Sequence, residues 1–175
     1  MMDTLTIRPA SVADVPAILA LIRGIAEYER LSHEVEASEA LLRQHGFGPR
    51  PVFEALLAER IAERDQMNDR AIGFALYFFT FSTFKARPTL YLEDLFVLPE
   101  ERRHGVGRRL LAELARIAVL RECGRMEWSV LDWNTPARDL YLKIGAVPMD
   151  EWTVFRLTPE AFGRLAREAV ADPSR

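Results

Sequence analysis

Between Leu90 and Arg109 the chain reads L-Y-L-E-D-L-F-V-L-P-E-E-R-R-H-G-V-G-R-R, and no other run limits the fold as tightly. Thr89 to Val97 is apolar enough for an interior strand, yet it carries two adjacent carboxylates, Glu93 and Asp94. Neighbours on a strand point to opposite faces, so at most one of the two is expected to face any given pocket. Carboxylates are costly to bury unless paired or put to use, so the pair marks either a solvated edge or a site. Pro99 closes the strand, and Arg102-x-x-Gly105-x-Gly107 forms a turn. Val106, Leu110, Leu111, Leu114, Ile117 and Ala118 then fall at helical spacing, giving a helix from about Gly107 to Glu122. Glycines at a strand-to-helix turn let the backbone approach a phosphate, and the exposed N–H groups of the helix start favour anions. Arg102, Arg103, Arg108 and Arg109 add positive charge around the turn. A P-loop is excluded, because Arg108-Arg109 stand where it needs Lys-Ser/Thr. A dinucleotide fingerprint is excluded by Leu110. A plain glycine connection with a solvated arginine cluster would account for the turn taken alone.

The elements on either side fit one mixed α/β domain spanning residues 1–175. Leu5 to Pro9 alternates as a short strand, and Ser11 to Asp14 resembles a capping box ahead of a helix that ends near Tyr28 to Leu31. Ser38 opens a second, short helix stopped by Gly46, Gly48 and Pro49. Phe53 to Ala58 and Ala71 to Phe81 read as strands joined through a charged connection, Glu59 to Arg70. After the long helix, Met126 to Leu131 is strand-like and Ala137 to Ile144 a short helix closed by Gly145. Val147 to Leu157 is expected to supply one or two further strands, and Thr158-Pro159 starts a last helix. The order β-α-α-β-β-β-α-β-α-β-β-α implies a mixed sheet flanked by helices.

Composition narrows the function. A net charge of −3 and the lack of a basic stripe argue against nucleic acid as the main partner. No segment approaches the length of a membrane span or of a signal peptide, so a cytoplasmic protein without a membrane partner is expected. The one cysteine, Cys123, rules out an intrachain disulfide and reads as a plain buried thiol rather than a nucleophile. His33, His45 and His104 lack metal-ligand spacing, so no metal is expected.

Leu95-Phe-Val-Leu-Pro-Glu-Glu-Arg-Arg-His-Gly-Val-Gly107 resembles the acetyl-coenzyme A motif of the GNAT acetyltransferases. Three further stretches look like the spermidine/spermine (diamine) N-acetyltransferase branch: Ala26 to Glu29, Leu90 to Val97, and Asp132-Trp-Asn-x-Pro136 leading to Tyr141-x-Lys-x-Gly-Ala146. The likeness runs collinearly from about Leu5 to Leu157. It implies a GNAT fold, with a central strand splayed from its neighbour, and acetyl-coenzyme A as cosubstrate. The backbone of Phe96 and Val97 would hold the pantetheine arm, with Leu95 beside them among the coenzyme-binding residues. Arg103, His104, Gly105, Val106, Gly107 and Arg108 would wrap the pyrophosphate, Arg102 would bind the coenzyme beside them, and Asn134, Pro136 and Ala137 would contact it from the next unit. Arg103 departs from the family, where many relatives carry glycine.

Acetylating an amine requires taking a proton from an ammonium whose pKa lies near 10.4, and a proton donor eases departure of the thiolate. By resemblance Glu93 is the base and Tyr141 the acid. Tyr28, Glu29, Glu127, Trp128 and Ser129, with Glu93, would line the amine site. Taken alone, Tyr141 also reads as a half-buried core tyrosine and Glu29 as a solvated helix-end charge. The implied function is direct acetyl transfer to a primary amine of a small cationic substrate, a polyamine or diamine. A thialysine-like amino acid, or a protein or peptide amine, is the alternative within the chemistry. A non-catalytic acyl-coenzyme A sensor is the rival from another class, although binding alone would need neither Glu93 nor Tyr141. The resemblance also implies a homodimer, with Trp152 to Leu157 as an interface or exchanged strand.

Overall fold

A computed structural model describes residues 4–61 and 70–170 of the chain. They form two compact units divided after Trp133. The first unit is built on a five-stranded sheet of β1 (Thr4–Pro9), β2 (Glu54–Ile61), β3 (Arg70–Ser82), β4 (Arg87–Val97) and β5 (Arg125–Trp128), in that spatial order. The first three pairings are antiparallel; β4 and β5 are parallel, joined by the crossover helix α3 (Val106–Leu120). Part of the charged connection between β2 and β3 lies outside the described residues.

Helices α1 (Val15–Tyr28) and α2 (Glu39–Phe47) cover one face of the sheet. Val15, Ile18, Leu19 and Leu21 of α1 pack with Leu57, Phe74, Leu76 and Phe96 in one buried cluster. The opposite face carries α3, whose Leu110 and Leu114 are fully buried. Tyr77 and Phe79 mark that face: Tyr77 lies within electrostatic reach of Glu113 and Arg121, and the Arg121 guanidinium sits over the Phe79 ring.

Local signals set the element ends. Ser38 caps α2 by accepting from the Leu41 N–H. Asp14 receives the Ser11 N–H at 2.7 Å, as the capping-box reading expects, but it is also clamped by Arg8. Arg8 spans Asp14 and Glu59 at 2.8 and 2.6 Å, tying β1, β2 and the start of α1 together.

Three sequence expectations change. Glu59, Arg60 and Ile61, expected in the charged connection, belong to β2, because they pair with β1 on one side and Glu59 and Arg60 with β3 on the other. Cys123 is half-buried rather than buried, since its N–H closes the end of α3 on Ala118 and it lies past the packed face. Val147 to Leu157 forms no strand. A strand needs a partner edge for its main-chain groups, and within this segment the Trp152 N–H instead closes a turn on Met149 O at 3.0 Å.

The second unit contains α4 (Thr135–Lys143) and α5 (Pro159–Val170). Asn134 caps α4 by accepting the Ala137 N–H at 3.4 Å, with Pro136 in the first turn where its missing N–H costs nothing. Gly145 closes α4 at φ +90°, and the Ala146 N–H returns to the Tyr141 carbonyl at 3.0 Å. That is the Schellman arrangement, and it fixes the backbone of Tyr141. Thr158 caps α5 through the Ala161 N–H.

Candidate active site

The site begins with a ladder that stops early. β4 pairs with β5 only from Thr89 to Leu92, so among the described residues 93–97 have no strand on that side. On its other side β4 stays paired with β3 as far as Val97. The Leu98 N–H bonds to Ile72 O at 2.9 Å, and antiparallel strands alternate inward and outward main-chain groups. The main chain of Phe96 therefore faces β3, and that of Leu95 and Val97 faces the unpaired edge. Of the two backbones expected to hold a pantetheine arm, that of Val97 is at the open edge, with that of Leu95 beside it, whereas that of Phe96 is not, because the ladder to β3 takes its main-chain groups. Phe96 contributes its ring, packed on Gly24 of α1 so closely that a Cβ there would lie 2.7 Å from it.

Just upstream, the β3–β4 register slips: Leu76 faces Asp94 while Tyr77 faces Leu92. Glu93 is the inserted residue of a β-bulge. One extra residue reverses the strand's alternation, so Leu90 and Leu92 lie with Phe79 and Tyr77 on the α3 face, while Asp94 and Phe96 lie with Leu76 and Phe74 on the α1 face. The two carboxylates thus do not obey the simple opposite-face rule expected from the sequence. Asp94 is turned toward the end of α1. Burial, helped by the neighbouring charges of Glu93 and Glu29, pushes its pKa up to about 6. Burial also raises the Glu29 carboxyl. Glu93 is the exposed member of the trio. Three like charges at the end of an open strand edge favour a cation.

Along β5, Glu127 pairs in register with Tyr91 and Trp128 with Leu92. Glu127 and Ser129 therefore share Tyr91's side of the sheet, and Trp128 lies on the α3 face. Tyr91 and Ser129 hydroxyls meet at 3.2 Å, and Glu127 is paired with Arg125 at 2.9 Å. Of the residues expected to line an amine site, Tyr28 and Glu29 come to the β4 side, whereas Trp128 does not.

The turn after β4 fits an anion. Arg103 has φ +66° and Gly105 φ +79°, both left-handed, and α3 starts immediately after. The Arg109 N–H is bonded to Gly105 O, so the N–H groups of Val106, Gly107 and Arg108 come before the first intrahelical bond. The unusual φ explains why a glycine would suit position 103. His104 and Arg108 flank the same turn, and Arg60 bonds Glu101 at 2.8 Å, holding the turn's approach to β2. The Arg102 side chain goes elsewhere: its Nε donates to Val97 O at 3.0 Å, and its guanidinium lies 4.3 Å from the Tyr28 ring centre. Neither Asp94's burial nor this destination was visible in the sequence; the bulge that causes the first carries no residue signature.

In the second unit, Tyr141 is half-buried on α4 and Asn134 and Ala137 form the cap described above. Among the described residues no His/Cys/Asp/Glu group could hold a metal ion, and no helix is long and apolar enough to cross a membrane.

Comparison with known proteins identifies the family and the fold. Residues 23–146 match the acetyltransferase (GNAT) family. The chain is 42% identical over 164 residues to the thialysine N-epsilon-acetyltransferase of Bos taurus, covering 91% of this chain and 96% of that one. It is 33% identical over 170 residues to the human spermidine/spermine N(1)-acetyltransferase-like protein 1, covering 95% of this chain but 24% of that one. An integron cassette protein from V. cholerae superposes with a TM-score of 0.74 at 25% identity, over 95% of this chain and 99% of that one. The fold is also that of AAC(6')-Iy, solved with the bisubstrate analogue CoA-S-monomethyl-acetylneamine, at TM-score 0.68 and 19% identity over 89% and 99% of the two chains.

Proposed function

The chain belongs to the GNAT acetyltransferase family and is an amine N-acetyltransferase, and from that premise we propose that it acetylates a primary amine of a small, multiply charged cation by direct attack. The observation that carries the substrate class is the carboxylate trio of Glu29, Glu93 and Asp94 beside the unpaired edge of β4. A polyamine or diamine fits it. A thialysine-like amino acid is the second reading, favoured by the 39–42% identity to mammalian thialysine N-epsilon-acetyltransferases.

The described residues fit acetyl-coenzyme A. Leu95 and Val97 offer main-chain groups at the open edge, and the left-handed turn with the α3 start offers N–H donors to a pyrophosphate. Asn134, Pro136 and Ala137 are the proposed contacts from the second unit. The coenzyme supplies an activated thioester. Glu93, exposed at the bulge, takes the ammonium proton directly or through water. Asp94 and Glu29 hold the cation, together with Tyr28, Glu127 and Ser129 along the same face. Tyr141 protonates the departing sulfur. The family match spans both compact units, which supports one functional domain. Val154 and Phe155 are 82% and 91% exposed, and Trp152 and Leu157 are exposed too, which supports an interface there in a homodimer. A single cysteine suits the cytoplasm.

The test is release of coenzyme A thiol from acetyl-coenzyme A against putrescine, spermidine, spermine, lysine, thialysine, ornithine and a short peptide. Turnover on the small cations, cut at least ~100-fold in Tyr141→Phe or Glu93→Gln, is the expected result. Turnover untouched by both substitutions would remove the assigned roles, and turnover of the peptide alone would remove the substrate class. A monomer by light scattering at micromolar concentration would count against the dimer.

A further inference from the structure

We propose that Arg102 is a positioning residue that ties the amine end of α1 to the open edge of β4, and not a ligand of the coenzyme phosphates. The proposal rests on the reading of the site given above and departs from it at this one residue.

Arg102 begins in the glycine turn, but its side chain folds back. Its Nε donates to Val97 O at 3.0 Å; its guanidinium lies 4.3 Å from the ring centre of Tyr28 and 5.6 Å from that of Phe96. Both rings are anchored. Tyr28 packs at 5.6 Å against Trp133, and Phe96 is pressed on Gly24. A guanidinium over aromatic faces gains from the ring quadrupoles, and more so away from water. The planar fork suits this position, since its face lies over the rings while its edge donates from Nε; a lysine ammonium is a point charge with no planar face and no donor at that position along the chain.

Two consequences follow from where the group sits. Val97 O is one of the acceptors that the β4 ladder leaves facing the open edge. Arg102 occupies it, leaving Leu95 O and the N–H groups of Leu95 and Val97 to an incoming pantetheine arm. Arg102 thereby sets where the usable edge ends. Tyr28 is also the last residue of α1 and Glu29 follows it, so the same guanidinium fixes the height of the helix end that carries an amine-site carboxylate. One side chain then governs both substrates through its neighbours, without touching either.

The experiment compares Arg102→Gln, Arg102→Lys, Tyr28→Leu and the Arg102→Gln/Tyr28→Leu double variant with the parent. Each is assayed with acetyl-coenzyme A and with S-acetylpantetheine, which has the arm but no phosphate. The expected result for Arg102→Gln is a loss of about tenfold in kcat/KM that is equal for the two thioesters, with a raised KM for the amine. Arg102→Lys is expected to fail as Arg102→Gln does. A loss confined to acetyl-coenzyme A, or rescue by lysine, would overturn the proposal in favour of a phosphate contact, as would an unchanged amine KM. Melting of the ligand-free proteins supplies a second arm. The double variant is expected to lose less Tm than the two single variants together, and additive losses would overturn the brace. If the parent turns over no amine at all, the functional reading fails while the melting arm still judges the contact.

Discussion

Asp94→Asn is expected to make the protein more stable and less active, with the stability gain appearing only above the acid range. Asp94 is largely buried, on the α1 face of the sheet, and its pKa is pushed from an ordinary 3.8 up to about 6 by burial first and by Glu93 and Glu29 after that. Below 3.8 the carboxyl is protonated in both folded and unfolded chains, so the native state incurs no charge penalty. Between the two values the folded chain holds the proton that the unfolded chain releases, and stability falls as pH rises. Above 6 the full penalty is present. At 1.36 kcal/mol per pKa unit the gap corresponds to an upper limit of about 3 kcal/mol. For a chain of this length that is a rise in Tm of about 6–12 °C. Urea unfolding of parent and variant at pH 4 and pH 8, without amine or coenzyme, measures it. The variant should exceed the parent at pH 8 and nearly match it at pH 4. Added spermidine should narrow the gap, because a bound polycation offsets the repulsion that Asn removes. An Asn variant no more stable than the parent at pH 8 would refute the argument that this carboxylate is held charged at a cost.

Three other perturbations test separate parts of the molecule. Arg8 holds the Asp14 carboxyl well below the usual carboxylate range, so this contribution is present at neutral pH and lost as pH falls through the acid range. Asp14→Asn should cost about 1–2 kcal/mol in urea at pH 7 and progressively less toward pH 3. Arg103→Gly relieves a side chain at φ +66° and should change stability by between about 0 and +1 kcal/mol, since glycine's freedom in the unfolded chain offsets part of the gain; a clear loss would contradict the strained turn. Gly73→Ala would place a Cβ 2.8 Å from the carbonyl oxygen of Phe96, forcing β3 from β4. A cost of about 1–3 kcal/mol and a raised KM for acetyl-coenzyme A are expected, read by melting and initial rates.

Much of the architecture was legible because it depends on neighbours in sequence. The apolar run of β4, the helical spacing from Val106 to Ala118, the Ser38 and Thr158 caps, and Gly145 closing α4 each carry their own signal. The motif around Gly105 and Gly107 marked an anion turn, and the structure adds that Arg103 itself adopts the left-handed backbone there. The strands expected from Val147 to Leu157 show the limit of such reading. Alternating apolar residues state a preference, and only a partner edge turns it into a strand.

The sequence by itself determined which residues could bind and react: paired carboxylates on an apolar strand, a glycine turn opening a helix, and a tyrosine on a capped short helix. Tertiary structure decided how they are used. The slip at Glu93 exists only because β4 is laddered to β3, and it carries Asp94 across to α1 and Glu29. The early end of the β4–β5 ladder decides that Leu95 and Val97 present their backbone. Arg102 reads as one more positive charge in a basic turn until Tyr28 and Val97 are brought within reach of it. Each is a contact between residues far apart in the chain. Local propensity encodes the elements, whereas faces, registers and burial arise only when distant elements compete for the same space.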